Sequence, residues 1–320
     1  MLRLAWSLFF LAPGVGEWLL GNQPASDFAA ILVLAPMYGG GALLIREVAR
    51  RSGRGWPTIA VLATAYAVIE EGPIDQMIYN PGYLGLSSFD GLLEVPGTGV
   101  SLSLLLASIA LHTVWSICTP IALVEAFDRS NRPWLRTRGL VIVAVVFVAG
   151  SVLLTWAQAD ENHFFASPGQ LAVTWAVILG LVVVAFRLPR PAAGSGRAPS
   201  PLITGIVAFA VTSLYWVESL LTAYVIAVSP WFDVLTFATL TLFGVWLVAN
   251  WSRREDWGQV HVVALGSGAA LTYAWVGFFN SAHLDVTTAE AMIGSSAFAA
   301  AAIALVGWAV RRVRLVPTGL

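Results

Sequence analysis

The chain has 320 residues, of which 58% are hydrophobic and 11% are charged, and its mean hydropathy is +0.78. Soluble domains carry about 25% charged residues, so the composition excludes an ordinary soluble domain and indicates a membrane protein. The net charge of −1 argues against a nucleic-acid partner. The single cysteine, Cys118, excludes an intrachain disulfide framework and a cysteine-based metal cluster.

Ten windows of the chain are long and apolar enough to be candidate transmembrane helices, which need about 17–25 residues. In chain order these windows are 4–20, 28–46, 57–79, 101–125, 139–158, 169–187, 202–227, 231–251, 259–280 and 291–310. The first window resembles a signal peptide, but Pro13 follows Ala12 and no small-x-small cleavage site is evident, so we expect a retained span. The predicted fold class is an all-α polytopic membrane protein with about ten transmembrane helices.

The orientation follows from the basic residues, all 17 of which are arginines. They precede the first span or follow an even-numbered span: Arg3; Arg46, Arg50, Arg51 and Arg54; Arg129, Arg132, Arg136 and Arg138; Arg187, Arg190 and Arg197; Arg253 and Arg254; Arg311, Arg312 and Arg314. Because basic residues concentrate in cytoplasmic loops, we predict that both termini are cytoplasmic.

Two segments between the spans bear on the domain organisation. Residues 189–201 are rich in Pro, Ala, Gly and Ser, which is typical of a flexible linker. They separate a six-span part, 1–188, from a four-span part, 202–320, within a single transmembrane domain. The longest predicted external loop, 80–100, is rich in Gly and Pro and contains Asp90. Such a loop either covers a site or only connects two spans.

The most informative stretch lies in span 57–79, where three carboxylates and a Gly-Pro pair interrupt an apolar run. These residues are Glu70, Glu71, Gly72, Pro73 and Asp75. Ionisable groups inside a membrane are rare and usually face the protein interior or a wet cavity. Proline removes a backbone hydrogen bond, so we predict a helix break at Gly72 and Pro73, as in the discontinuous helices of transporters.

Counting about 1.5 Å per helical residue places polar residues from several spans in the outer half of the membrane. We predict catalytic roles for Glu70, Glu71 and His112. The residues predicted to bind a ligand are Glu17, Asp75, Ser116, Tyr215 and Glu218. The sequence suggests no metal site and does not define a cofactor.

Each of these residues also has a structural interpretation. Glu70, Glu71 and Glu218 would be hydrogen-bonded between helices, and His112 would be a packing residue. Glu47 and Glu125 lie beside arginines and are expected to form surface ion pairs. We expect His163, His261 and His283 to be solvated, and the Gly39-Gly40-Gly41 run to allow close helix packing.

Several motifs in the first 130 residues resemble a prokaryotic family of multi-spanning membrane proteins with no known activity. They are Gly41-Ala-Leu-Leu-Ile-Arg46-Glu47, Gly55-Trp56-Pro57, Ala65-Tyr66, Ile69-Glu70-Glu71-Gly72, and His112 with Trp115-Ser116 and Pro120. This resemblance implies a location in a prokaryotic inner or plasma membrane.

The Glu-Glu pair, with a histidine in the next span, is also weakly similar to the CPBP family of intramembrane proteases, which includes CaaX processing enzymes and bacteriocin-immunity proteins. That similarity implies that glutamate and histidine activate water for peptide cleavage. The chain departs from the pattern, because Asp75 stands where that family has arginine and Ser116 where it often has Asn or Asp.

Three functions remain open from the sequence. The first is a permease-like protein, with proton- or cation-coupled transport through the carboxylates. The second is an intramembrane acid–base enzyme that acts on a lipid-like or membrane-peptide substrate. The third is a non-catalytic assembly or immunity protein. The expected partners are the lipid bilayer and a small-molecule, ion or lipid-like ligand, with no nucleic acid.

Overall fold

The computed structural model describes residues 1–85, 92–128, 130–189, 194–224 and 229–314. Eight helices in these ranges are long and apolar enough to cross a membrane, which confirms an all-α polytopic membrane fold. Asp90, Arg129, Arg190 and parts of the predicted loop 80–100, linker 189–201 and span 202–227 lie outside the described ranges.

The α-helices are numbered in chain order. They are α1 (Leu2–Pro13), α2 (Ile31–Arg51), α3 (Trp56–Ile69), α4 (Leu102–Leu111), α5 (Thr119–Glu125), α6 (Thr137–Asn162), α7 (Pro168–Arg187), α8 (Pro201–Tyr224), α9 (Pro230–Trp251), α10 (Gln259–Asn280) and α11 (Thr288–Arg314). Short 3₁₀ turns lie at Ala25–Ala30, Pro81–Leu84 and Ser281–His283. Two short strands, β1 (Glu94–Val95) and β2 (Val100–Ser101), pair antiparallel.

Three further helical segments have the wider π-helical turn. They are π1 (Gly14–Leu19), π2 (Glu70–Ile74) and π3 (His112–Cys118). The π1 segment extends α1, π2 extends α3, and π3 joins α4 to α5. Short π-helical stretches of this kind are rare in proteins. Where they occur, they are often at functional sites.

The predicted spans 4–20 and 57–79 form helices, α1 with π1 and α3 with π2, but neither is among the eight candidate membrane spans. The glutamates of π1 and π2 lower the hydropathy of these two helices. Both nevertheless pack within the bundle, α1 along α2 and α3 along α7. The count of ten spans and the cytoplasmic termini therefore stay predictions.

The helices differ in how much of their apolar surface other helices cover. In the most apolar 18-residue stretch of each span, 67% of the residues are buried in the span that contains α10, but only 6% are buried in α6. The α10 helix packs against α5, α8 and α11, so it is a central element. Exposed apolar side chains cover α6 in the pattern expected of a helix that faces lipid.

Glycines allow the helices nearest the site to approach closely. A side chain at Gly39 would collide with the backbone of Phe9 on α1, and a Cβ at Gly40 would lie 3.1 Å from Cβ of Phe147 on α6. The close packing predicted for the three-glycine run of α2 is confirmed.

An aromatic contact joins the first part of the chain to α10. Trp115 of π3 and Tyr273 of α10 stack in parallel, with ring centroids 4.8 Å apart. The Trp115 indole also donates a hydrogen bond of 2.9 Å to the carbonyl of Ala269. Both rings are almost fully buried.

Candidate functional site

The three π-helical segments supply most of the residues that the sequence predicts for the site. Glu17 lies in π1, Glu70 and Glu71 in π2, and His112 and Ser116 in π3. The π3 segment contacts both of the others, π1 along the helix and π2 through the side chains of Glu70 and Glu71. The chain thus departs from regular α-helix at each place where it contributes to the cluster.

We predicted that the helix breaks at Gly72 and Pro73. The helix instead continues through both residues as the wider π2 segment and ends just after them. Proline has no backbone N–H to donate, and in π2 the carbonyl of Glu70 accepts from the backbone N–H of Asp75 at 2.8 Å. The helix then ends at Ile74, short of the predicted residue 79, and Gln76 adopts a φ of 57°.

One imidazole lies between the two adjacent carboxylates. The distance from Nδ1 of His112 to Oε2 of Glu70 is 2.8 Å, and the distance from Nε2 to Oε1 of Glu71 is 2.7 Å. Both glutamates are almost completely buried. The hydroxyl of Ser116, one turn along π3, lies 3.0 Å from the same Nδ1. We refer to Glu70, Glu71, His112 and Ser116 as the His112 cluster.

A second hydroxyl–carboxylate pair lies against this cluster. Tyr38 of α2 donates a hydrogen bond to Oε1 of Glu17, and its ring centroid lies 6.2 Å from that of His112. A Cβ at Gly16 would lie 3.1 Å from the Tyr38 ring and 3.2 Å from Oγ of Ser116. A side chain at this position would therefore require Tyr38 or Ser116 to shift by a few tenths of an ångström.

Several carboxylate oxygens of the cluster accept no hydrogen bond from the described residues. Both side-chain oxygens of Glu70 and Oε2 of Glu71 are buried without an aligned donor, although His112 is within ion-pair distance. The buried hydroxyl of Tyr66 interacts with Glu70 but makes no aligned hydrogen bond. Unpaired buried polar atoms cost free energy, so protonation of one of these carboxylates would stabilise the group.

Three of the predicted binding residues make no hydrogen bond to the His112 cluster in the described structure, although Asp75 interacts electrostatically with Glu70 and Glu71. Asp75 caps π2 and receives a hydrogen bond of 3.4 Å from the hydroxyl of Tyr83. Tyr215 packs on the Trp115 ring and donates to the carbonyl of Ala107. Glu218 is buried, and its carboxyl group interacts with that of Asp233 on α9.

Among the residues that the structure describes, no group of three or more His, Cys, Asp or Glu side chains has an arrangement that could hold a metal ion. The chemistry that the His112 cluster offers by itself is acid–base chemistry. An imidazole between two carboxylates can accept and pass on protons.

A second buried charge cluster, which the sequence interpretation placed at the surface, lies at the arginine-rich end of the bundle. Arg46 is completely buried and contacts Oε1 of Glu47 at 2.6 Å and Oε1 of Glu125 at 3.0 Å. Arg50 also contacts Glu125, at 2.6 Å. The prediction of ion pairs is confirmed, but the prediction that they lie on the surface is wrong, because the chain around Trp134 folds over them.

The three histidines expected to be solvated divide into two groups. His163 and His283 are exposed, as predicted. His261 is buried near the start of α10, where it accepts from the N–H of Gly258 and contacts the carbonyl of Pro199 at 3.1 Å, so that prediction was wrong.

Tyr38 is the site residue that the sequence interpretation missed. It precedes Gly39 on an apolar helix, and a tyrosine there is easily taken for packing. The signal that points to it is its position directly before the glycines, where the neighbouring helix comes close enough for the hydroxyl to reach a buried partner.

A protein-family model that describes an uncharacterized membrane protein family matches residues 8–318. Since this range covers nearly the whole chain, the protein belongs to that family, in agreement with the resemblance found in the first 130 residues. No curated protein and no solved structure matches the chain. The comparisons do not show the similarity to CPBP proteases.

Proposed function

We propose that this member of an uncharacterized membrane protein family is a permease-like protein of a prokaryotic inner or plasma membrane, in which the His112 cluster takes up and releases a proton or cation. The observation that carries the proposal is the single imidazole held between two buried carboxylates, at 2.8 and 2.7 Å. A coupling site needs a group whose charge changes when a ligand moves, and this cluster supplies one.

The net charge of the His112 cluster explains why it would exchange a proton or a small cation. With Glu70 and Glu71 ionised and His112 protonated, the cluster carries one net negative charge, and an ionised Glu17 nearby adds a second. Burying uncompensated charge is costly, so the cluster is stabilised when a proton or a small cation binds. Release of that ion then favours a conformation in which water or a substrate group reaches the carboxylates.

The π-helical segments favour movement at this place. Transporters commonly build their sites from interrupted helices, where irregular backbone lines the binding cavity. In this chain π1, π2 and π3 all meet at the cluster. In an alternating-access cycle, a structure with Glu70 and Glu71 buried would be the occluded state.

The ligand follows from the same chemistry. A cluster with an excess of carboxylates favours a proton or a small cation as the coupling ion, and we propose that it is coupled to a small molecule or a lipid-like compound. Glu218 and Asp233 form a separate acidic pair, so we do not assign them to the coupling site.

A second candidate, an intramembrane acid–base enzyme, is favoured by one contact. Oγ of Ser116, Nδ1 and Nε2 of His112, and Oε1 of Glu71 form a continuous chain with steps of 3.0 and 2.7 Å. A hydroxyl, an imidazole and a carboxylate in series are the parts of an activated nucleophile. A lipid-like or membrane-peptide substrate would reach Ser116 only if π1 moved away, because Gly16 lies against it.

The first experiment measures proton exchange without knowledge of the solute. The full-length protein is purified in detergent and its carboxyl absorption is followed by infrared difference spectroscopy from about pH 5 to pH 9, the interval in which histidine and perturbed carboxyl groups titrate. Wild type should show a carboxylic acid band that disappears as the pH rises. Glu70→Gln and Glu71→Gln should each remove part of it.

The matched control is Glu218→Gln, which removes a buried carboxyl outside the cluster. If it removes the same band and the two cluster variants do not, the coupling site is misplaced. A spectrum that no variant changes would show that the cluster holds no exchangeable proton, which would favour a non-catalytic assembly or immunity role.

A second experiment separates transport from catalysis. In proteoliposomes that contain a pH-sensitive dye, solutes of different classes are added under an imposed proton gradient. Solute-driven proton movement that Glu71→Gln abolishes and Ser116→Ala preserves supports the permease. Turnover of an ester or peptide probe that Ser116→Ala abolishes supports the enzyme instead.

A further inference from the structure

A lipid-facing groove lies between α8, α10 and α11, away from the His112 cluster. Its volume is about 360 Å³, within the range of about 300–1,000 Å³ that is usual for ligand sites. The residues that line it are Pro201, Leu202, Gly205, Ile206, Phe209, Val260, Ala264, Ser267, Gly268, Leu271, Val310, Val313 and Arg314. We propose that this groove binds one acyl chain of an anionic glycerophospholipid from the cytoplasmic leaflet, with the phosphate at Arg314.

The shape of the groove favours a chain over a compact solute. Its wall on α10 extends from Val260 to Leu271, about 16 Å at the helical rise per residue. The floor is backbone, because α8 and α10 approach so closely that a Cβ at Gly268 would lie 2.6 Å from the carbonyl oxygen of Gly205. A long apolar groove of this kind matches an acyl chain.

The charge at the mouth selects the headgroup. Arg314 is the only charged residue among the described residues that line the groove, and Arg311 and Arg312 lie in the same last turn of α11. The distribution of arginines predicts that this end of the bundle is cytoplasmic. Basic pockets between transmembrane helices on that side are suited to anionic lipid headgroups.

One polar group in the wall favours a glycerolipid. Ser267 lines the groove, and its buried hydroxyl has no hydrogen-bond partner in the described structure. An unpaired buried hydroxyl costs free energy. The ester oxygens, which lie between the phosphate and the acyl chain of a glycerophospholipid, would supply the missing partner.

The test is native mass spectrometry of the full-length protein in a mild detergent, titrated with phosphatidylglycerol or with phosphatidylcholine of the same chain length. Wild type should bind one phosphatidylglycerol more tightly than phosphatidylcholine. Arg314→Gln should weaken the binding of phosphatidylglycerol about fivefold, as expected for one basic residue beside an anionic lipid, and should leave phosphatidylcholine unchanged.

Two matched controls make the result specific. Arg311→Gln removes an exposed arginine from the same turn that does not line the groove, so it should weaken the binding of phosphatidylglycerol less than Arg314→Gln does. Ile206→Trp fills the groove and should reduce the binding of both lipids, whereas Val245→Trp, at an exposed position on α9, should not. Elution profiles on size exclusion identify any variant that fails to fold.

Equal affinity of wild type for the two lipids would overturn the role of Arg314, and so would equal losses in Arg314→Gln and Arg311→Gln. Unchanged binding in Ile206→Trp would overturn the groove itself. The proposal does not depend on the permease function, since none of the variants touches the His112 cluster.

Discussion

The Arg46 network and the His112 cluster are both buried, but their hydrogen bonds are completed to different degrees. In the network, the oxygens of Glu47 accept from Arg46 and from the backbone N–H groups of Trp134 and Leu135, at 2.6, 2.8 and 3.0 Å. In the cluster, both oxygens of Glu70 lack an aligned donor within the described residues.

This difference separates two uses of buried charge. A network in which every group is paired is rigid and holds the loop after α5 against α2. A cluster with unpaired acceptors is less stable as it stands, and it keeps the capacity to bind a proton or cation. Sites of function commonly carry such a cost in stability.

The largest expected effect is on the network. Arg46→Met removes the shared partner of Glu47 and Glu125, and breaking a buried ion pair on one side costs about 3–5 kcal/mol. The free energy of unfolding is measured by titration with a denaturing detergent. Arg311→Met, at an exposed position, is the control and should change it by less than about 0.5 kcal/mol. Equal effects would show that the network does not stabilise the fold.

The next largest effect on the free energy of unfolding tests the role of Tyr38 beside the cluster. Tyr38→Phe removes the donor to Glu17, and a hydrogen bond to a charged group is worth about 1.5–3 kcal/mol. Tyr273→Phe is the matched control, because the buried Tyr273 hydroxyl has no partner in the described structure and its loss should be nearly neutral. If the two variants have the same free energy of unfolding, the contact between Tyr38 and Glu17 does not contribute to stability.

The packing of π2 gives a third prediction. A Cβ at Gly72 would lie 2.6 Å from Cγ2 of Thr174, so Gly72→Ala should destabilise the protein by about 1–3 kcal/mol. Thr174→Ser removes Cγ2 but keeps the hydroxyl that contacts Tyr79 at 2.5 Å. The double variant should therefore recover more than half of the loss in a double-mutant cycle. Simple additivity would contradict this contact.

The smallest effect on stability tests the comparison most directly. Glu70→Gln should change the free energy of unfolding by less than about 1 kcal/mol, since it removes a buried charge without an aligned donor. Glu47→Gln should cost more, because both oxygens of Glu47 are paired. If Glu70→Gln is the more damaging of the two, the His112 cluster is structural.

The sequence predicted the helices, and it predicted that Glu70, Glu71 and His112 lie at a similar depth, for a physical reason. Ionisable side chains on apolar helices turn inward, and the rise per residue fixes their height. Height does not give the direction in which a side chain points around the helix axis. This is why Glu218, predicted at a similar depth, lies with Asp233 and apart from the cluster.

Other features depend on contacts that a single sequence does not encode locally. The π-helical turn at Pro73 forms because the Glu70 carbonyl finds its donor one residue later than in an α-helix. The burial of Arg46 requires the chain near Trp134 to fold back over α2. The hydroxyl of Tyr38 reaches Glu17 only because glycines allow α1 and α2 to approach.

The parallel stack of Trp115 on Tyr273 has a mechanical consequence. Trp115 is three residues from His112 in π3, and Tyr273 belongs to the most buried of the eight candidate membrane spans. A rotation of π3 that carried the imidazole away from Glu70 would slide one ring across the other and displace α10. Such a rotation would also disturb the contacts of α10 with α8 and α11.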